Sequence, residues 1–121
     1  MFSPQIRVLI IDDSAIARNT LSRILETDPE IEVVGTAPDA LIGLRKIAEC
    51  SPNVLTLDVE MPKMDGLTFL ERLMSSRPMP VVMVSAYTSE GSETALRALD
   101  LGALEIIEKP SIDVSSGLQE L

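Results

Sequence analysis

Asn53-Val-Leu-Thr-Leu-Asp58 is a short apolar stretch that ends in a carboxylate. Its aliphatic residues suit a strand that is buried on both faces, which is the kind found in parallel sheets. Pro62 and Gly66 follow and mark the next residues as a loop. Asp58 is therefore predicted to lie at the carboxyl edge of a central strand, where ligands bind in open α/β sheets.

The composition predicts one soluble globular domain. The chain has 121 residues, of which 45% are hydrophobic and 24% are charged, which is enough for one core and too apolar for a disordered chain. No apolar run approaches the roughly 20 residues of a membrane span, and the first residues lack a secretory signal pattern. Cys50 is the only cysteine, so no internal disulfide is possible. We therefore expect a cytoplasmic protein without membrane insertion.

The charge balance and the lack of histidine exclude several functions. The formal net charge is −9, from 19 acidic and 10 basic residues, and no cluster of Lys and Arg is present to bind nucleic acid phosphates. Because the chain contains no His, it lacks His-based acid–base catalysis, a Ser-His-Asp triad and any His-ligated metal. We expect no nucleic acid partner.

Strand and helix patterns alternate along the chain. Apolar, β-branched runs predict further strands at residues 6–11, 31–34, 81–85 and 104–107. Four helices are predicted between the strands, and residues 111–121 form either a last helix or the start of a linker. The predicted apolar faces of the four helices are Ala17, Leu21, Ile24 and Leu25; Ala40, Leu44, Ile47 and Ala48; Leu67, Leu70, Leu73 and Met74; and Ala95, Leu96 and Leu99.

Glycine and proline give the expected boundaries of these elements. Gly35 is predicted to begin a turn after the second strand, and Pro38 to be the first residue of the second helix. Gly66 is expected to lead the third helix, and Gly102 to follow the end of the fourth as a C-cap.

This alternation predicts an α/β fold with a doubly wound, five-stranded parallel sheet and helices on both faces. At this size the common strand order is 2-1-3-4-5, the flavodoxin-like three-layer sandwich. Strands one and three flank the switch point of that order. The side chains of Asp12, Asp13 and Asp58 should therefore converge, and Ser85 and Lys109 should lie on the same edge of the sheet.

Three carboxylates in one crevice repel one another, so the cluster needs a cation or bound protons. Mg²⁺ suits such a site because it prefers oxygen ligands and needs only one or two carboxylates. A carboxylate beside Mg²⁺ can attack phosphorus and form an aspartyl-phosphate. A Lys ammonium and a small hydroxyl can then hold the phosphoryl oxygens, and Lys109 and Ser85 are residues of these types.

Taken singly, each of these residues has a simpler explanation. An Asp or Ser at a strand end is often a helix N-cap, and a lone Lys is usually a solvated surface charge. The prediction of a site therefore depends on the joint placement of all five side chains on one edge of the sheet.

These motifs resemble the receiver domain of bacterial two-component response regulators. The matching segments are Ile10-Ile-Asp-Asp-Ser14, Leu57-Asp-Val-Glu-Met-Pro-Lys-Met-Asp-Gly66, Ser85-Ala86, and Gly102-Ala103 followed by Lys109-Pro110. Residues 84–103, with the form Ser-x-x-Thr-x-x-Gly-x-x-Thr-x-x-x-Ala-Leu-x-x-Gly-Ala, further resemble the receiver of the chemotaxis protein-glutamate methylesterase.

The resemblance implies a role for each residue of the site. Asp58 would accept a phosphoryl group from a phosphohistidine on a chemotaxis sensor histidine kinase. Asp13 and Asp58 would ligate Mg²⁺ or Mn²⁺, Asp12 would act through water, and the backbone carbonyl of Glu60 would add a ligand while its side chain stays free to vary. Ser85 and Lys109 would bind the phosphoryl oxygens.

The resemblance also implies features outside the site. The bond between Lys109 and Pro110 would be cis, although X-Pro bonds are cis in only about 5–6% of cases. Ile106 stands where many receivers carry an aromatic switch residue, so the switch would rely on movement of Ser85 and on packing around Ile106. Residues 5–121 would form a single receiver domain that is not itself an enzyme beyond self-dephosphorylation. In the parent protein this domain would inhibit a C-terminal methylesterase domain, which this chain does not contain.

Two other functions fit parts of the pattern. A phosphohydrolase with an aspartyl nucleophile also has an acid two residues after it, as in Asp58-Val-Glu60, but such enzymes place the motif on an early strand. A flavin-binding electron carrier shares the predicted fold, but Asp12 and Asp13 would repel the phosphate of the cofactor.

Overall fold

The computed structural model describes residues 5–87 and 92–110. These residues form five strands and four helices, and the predicted last helix or linker at 111–121 lies outside them. In chain order the elements are β1 (Ile6–Ile11), α1 (Ala15–Leu25), β2 (Ile31–Ala37), α2 (Ala40–Cys50), β3 (Val54–Asp58), α3 (Gly66–Ser76), β4 (Val81–Ser85), α4 (Glu93–Asp100) and β5 (Glu105–Glu108).

The five strands form one parallel sheet in the order β2-β1-β3-β4-β5, which confirms the predicted fold. The three central strands are almost entirely buried, as continuous apolar runs require. The larger apolar cluster includes Leu9, Leu55 and Leu57 together with buried residues of α2, α3 and α4. A smaller cluster joins Val8 and Ile10 to α1, so the sheet is covered on both faces.

The second strand is longer than predicted. It continues through Gly35 to Ala37, and its register with β1 shifts because Val8 pairs with Val33 while Leu9 pairs with Gly35. Val34 is therefore an extra residue in β2, as in a β-bulge. The predicted turn at Gly35 was wrong because this glycine continues the strand beyond the irregularity.

The second helix begins later than predicted. Asp39 is its N-cap, and the Asp39 side chain accepts a hydrogen bond of 2.9 Å from the Ile42 amide. Pro38 therefore precedes the cap instead of forming the first helical position. The aspartate oxygen accepts a hydrogen bond from a free amide at the helix start, and proline has no side-chain acceptor that could do so.

The predicted apolar faces are correct in part. The residues confirmed as buried are Ala17, Leu21, Ala40, Ile47, Leu70, Leu73 and Ala95. The residues that are exposed instead are Ile24, Leu44, Ala48, Leu96 and Leu99. The reason is clear at α2, where a Cβ on Gly43 would lie 2.8 Å from Cδ1 of Ile11. The helix approaches β1 through this glycine, so Leu44 points outward.

The chain around β5 shows two more differences from prediction. The strand covers Glu105–Glu108, one residue later than expected. Gly102, which precedes the strand, was predicted correctly, because it follows the end of α4 with a φ of 111° as a C-cap glycine should. The Lys109–Pro110 bond is trans, since no cis peptide occurs in residues 5–87 and 92–110, so the expected cis bond was wrong. The trans form is the one that X-Pro bonds ordinarily favour.

No helix within residues 5–87 and 92–110 is long and apolar enough to cross a membrane.

Candidate functional site

The sheet brings the predicted site residues to one edge. Asp12 follows the end of β1, Asp58 is the last residue of β3, Ser85 is the last residue of β4, and Lys109 follows β5. Asp12, Asp58 and Ser85 are each at most 1% exposed, whereas Asp13 is exposed. All five lie together as the order β2-β1-β3-β4-β5 requires.

The three carboxylates form a compact group. One oxygen from each of Asp12, Asp13 and Asp58 can be chosen so that all three lie within 4.8 Å of one another. Asp12 Oδ1 accepts a 2.8 Å hydrogen bond from the Ser14 amide, and Asp58 Oδ1 accepts one of 3.2 Å from the Glu60 amide. These local bonds hold two of the carboxylates in place at the ends of their strands.

Lys109 is the cation of this cluster. Its Nζ lies 3.0 Å from Asp12 Oδ2 and 3.3 Å from Asp58 Oδ2. The Lys109 amide donates a 2.7 Å hydrogen bond to the carbonyl of Ser85, which continues the pairing of β4 with β5. The parallel sheet therefore fixes the backbone from which the ammonium reaches the acids.

Burial and neighbouring charges change the pKa values of Asp58 and Lys109. Burial and then the nearby charge of Asp12 raise the pKa of Asp58 from 3.8 to about 7, although Lys109 acts in the opposite direction. Burial alone would lower the pKa of Lys109, but its contacts with Asp12 and Asp58 outweigh burial and raise it. At Asp58, burial and the charge of Asp12 together thus outweigh the effect of the one ammonium.

The donor set fits a small divalent cation. Oδ2 of Asp12 is buried and has no hydrogen-bond partner among the residues that the structure describes, and its close contact is the Lys109 ammonium at 3.0 Å. Carboxylates gathered in this way are the ligands that Mg²⁺ and Mn²⁺ accept. A divalent ion would also relieve the repulsion that raises the pKa of Asp58.

The side chain of Glu60 makes specific contacts that the sequence did not suggest. Its Oε2 accepts a 2.7 Å hydrogen bond from the Ser85 hydroxyl, and its Oε1 accepts one of 2.9 Å from the Ala86 amide. The sequence analysis gave this side chain no contact of its own, and that it is free to vary stays a prediction. The role of its backbone carbonyl as a metal ligand stays a prediction.

Arg18 is a second residue that sequence reasoning missed. Its guanidinium donates a 2.8 Å hydrogen bond to the backbone carbonyl of Asp12. Arg18 lies on α1, four residues after the Ser14 N-cap, so it follows the cap by about one helical turn. The only available signal was a basic residue at that spacing, and such residues are common on helix surfaces.

The loop between β3 and α3 is held close to Asp58. The Gly66 amide donates a 2.8 Å hydrogen bond to the carbonyl of Val59, and the Asp65 side chain caps α3 by accepting from the Thr68 amide. Lys63 adopts a φ of 69°, which turns the chain sharply between these points. The loop therefore returns to the strand end that carries Asp58.

A family model described as the response regulator receiver domain matches residues 8–117. The chain belongs to the response regulator receiver domain family. It is 58% identical over 115 residues to the protein-glutamate methylesterase/protein-glutamine glutaminase of Methylobacillus flagellatus, covering 95% of this chain and 32% of that protein. The chain thus spans about a third of the length of the curated relatives it matches.

Solved structures agree with this assignment. The response regulator domain of Thermotoga maritima CheB superposes with a TM-score of 0.82 at 40% identity, over 95% of this chain and 91% of that chain. A chain in the complex of the P1 domain of CheA3 with CheY6 from R. sphaeroides gives a TM-score of 0.77 at 33% identity, over 98% and 92%. The predicted resemblance to methylesterase receivers is confirmed.

Proposed function

We propose that this receiver domain is an Mg²⁺-dependent phosphorylation switch in which Asp58 is the phosphoacceptor. The observation that carries the proposal is the position of Asp58, buried at a strand end with Lys109 Nζ 3.3 Å away and two further carboxylates beside it. A buried carboxylate between an ammonium and a cation site is suited to attack an electrophile that carries negative charge.

The step transfers a phosphoryl group without a change in redox state. An oxygen of Asp58 forms a bond to phosphorus while the bond from phosphorus to the leaving group, a phosphohistidine nitrogen or a small donor, breaks. Lys109 and the Ser85 hydroxyl hold the phosphoryl oxygens. Asp12, Asp13, Asp58 and the Glu60 carbonyl would hold Mg²⁺ or Mn²⁺, which supplies charge neutralisation when bound.

The proposed donor is a chemotaxis sensor histidine kinase. This chain has no His of its own, so a phosphohistidine must come from another protein or domain. The R. sphaeroides complex of CheY6 with a P1 domain supports a protein partner for a chain of this fold. We place the reaction in the cytoplasm, with neither nucleic acid nor membrane insertion involved.

Phosphorylation is tested with Mg²⁺ and a small phosphodonor, followed by intact mass measurement. We expect one added phosphoryl group, stable in acid and labile in base, on the peptide that contains Asp58. Repeated turnover of phosphomonoesters would support the phosphohydrolase instead, and a bound flavin spectrum would support the electron carrier. No mass gain under any Mg²⁺ condition would contradict the proposal.

The proposed output is control of a methylesterase domain in a longer parent protein. Leu96 and Leu99 on α4 are 56% and 44% exposed, and Leu104, which lies in the chain between α4 and β5, is 62% exposed. Exposed apolar residues that form a contiguous patch often mark a protein interface. We define this set as the α4–β5 patch and propose that the unphosphorylated receiver covers the methylesterase domain with it.

The double substitution Leu96→Glu and Leu99→Glu tests this output in the longer parent protein, which would carry the methylesterase domain as well. Two buried charges at an interface cost several kcal/mol, so we expect methylesterase activity without phosphorylation to rise at least tenfold. Leu41→Glu is the matched control, since Leu41 is an exposed leucine on α2. Equal activity of the double variant and the control would exclude the α4–β5 patch as the inhibitory surface.

A further inference from the structure

The Glu60 carboxylate is held by two hydrogen-bond donors at the end of β4. Both of its oxygens are engaged, one by the Ser85 hydroxyl at 2.7 Å and one by the Ala86 amide at 2.9 Å. Glu60 lies two residues after Asp58 and is half-buried, while Ser85 is fully buried. The half-buried Glu60 carboxylate thus occupies both of these donors close to the proposed phosphoacceptor.

The Ser85 hydroxyl cannot serve two anions at once. A hydroxyl has one proton to donate, and here that proton goes to Glu60. The Tyr87 amide donates to the same Ser85 oxygen at 3.2 Å, so the acceptor side of the hydroxyl is also fixed. A phosphoryl oxygen on Asp58 can receive the Ser85 proton only after the Glu60 carboxylate leaves.

Charge adds to this competition. A phosphoryl group on Asp58 would place new negative charge beside the Glu60 carboxylate in a partly buried site, where like charges repel strongly. The only cation that contacts the site carboxylates among residues 5–87 and 92–110 is Lys109, and it binds Asp12 and Asp58 instead of Glu60. No nearby lysine or arginine in the described chain compensates Glu60.

We propose that Glu60 is an internal competitor for the phosphoryl group, a carboxylate latch that occupies the Ser85 and Ala86 donors until Asp58 is phosphorylated. The inference rests on the proposed phosphoacceptor function and adds a regulatory residue to it. The latch lowers the affinity of the site for a phosphoryl group and holds the end of β4 in its resting position. Removal of the latch makes the phosphorylated arrangement easier to reach.

The test measures binding of beryllofluoride, an anion that mimics a phosphoryl group on a carboxylate, in the presence of Mg²⁺. Titration is followed through the NMR amide signal of Ala86. We expect Glu60→Ala to bind beryllofluoride about tenfold more tightly than the wild type, a change that corresponds to about 1.4 kcal/mol. Glu60→Gln keeps the side-chain size and should change the affinity in the same direction. Glu49→Ala, at an exposed glutamate on α2, should leave the affinity unchanged.

A double-mutant cycle separates the latch from a purely structural role. In a Ser85→Ala background the donor for which Glu60 competes is gone, so the gain from Glu60→Ala should shrink to about twofold or less. Equal or weaker binding by both Glu60 variants, or a gain unaffected by Ser85→Ala, would overturn the latch. If the wild type neither binds beryllofluoride nor accepts a phosphoryl group, the phosphoacceptor proposal itself fails.

Discussion

Asp58→Asn is expected to abolish phosphorylation and to raise the stability of the metal-free protein at and above neutral pH. The amide of asparagine is a poor nucleophile and carries no charge, so no aspartyl-phosphate forms at this position. The same change removes one of the carboxylates packed within 4.8 Å. Loss of function and gain of stability should therefore come from one substitution, as is common at strained sites.

The pH dependence follows from the pKa of Asp58. Burial and the charge of Asp12 raise this pKa from 3.8 to about 7, so the folded protein binds the proton more tightly than the unfolded chain. A raised pKa contributes stability that is fully present below the unfolded value and is lost as pH rises through the folded value. Metal-free wild type should thus lose stability between about pH 4 and pH 7, and Asp58→Asn should lack this loss.

Urea unfolding in EDTA at pH 5 and pH 8 measures the effect. Mg²⁺ should restore the stability of the wild type at pH 8, by about 2.7 kcal/mol when the metal is 100-fold above its Kd, and should stabilise Asp58→Asn much less. Asp100→Asn, at an exposed aspartate on α4, is the control and should follow the wild-type pH profile. Phosphorylation of Asp58→Asn at the wild-type level would contradict the assignment of the acceptor.

Most of the fold and the placement of the site were predictable from strand patterns. Continuous apolar runs identify parallel strands, and the chain order of strands and helices leaves few topologies. Once the order is fixed, a residue at the carboxyl end of a strand has a known position on the sheet edge. This is why Asp12, Asp58, Ser85 and Lys109 could be grouped although up to 97 residues separate them along the chain.

What the sequence could not supply was the contact made by a particular side chain. Leu44 has the helical spacing of a core residue, yet the space it would need is filled because Gly43 brings α2 against Ile11. Likewise, Glu60 is an ordinary loop acid until the fold places Ser85 and Ala86 within 2.9 Å of its oxygens. Both results depend on distances between elements, which periodicity does not contain.

Gly66→Ala is expected to destabilise the protein by about 3 kcal/mol or more, because backbone atoms occupy the space of the new methyl group. A Cβ at this position would lie 2.1 Å from the carbonyl oxygen of Asp58 and 2.9 Å from Cα of Val59. No side-chain rotation relieves such a contact. The start of α3 would have to move away from β3, breaking the bond from the Gly66 amide to the Val59 carbonyl.

The displacement should also reach the site, because the clashing carbonyl belongs to Asp58 itself. At low temperature, where the Gly66→Ala variant can remain folded, we expect it to bind Mg²⁺ more weakly than the wild type. Calorimetry measures this binding, and urea unfolding measures the stability. Gly35→Ala is the matched control, since the three atoms nearest to its Cβ would all belong to side chains, Cys50 and Leu9 at 3.3 Å and Lys46 at 3.8 Å, and these can shift. If both variants unfold at the same urea concentration, the close approach of α3 to the Asp58 backbone does not constrain the fold. If Gly66→Ala is the less stable but binds Mg²⁺ normally, the loop tolerates the shift without moving the carboxylate.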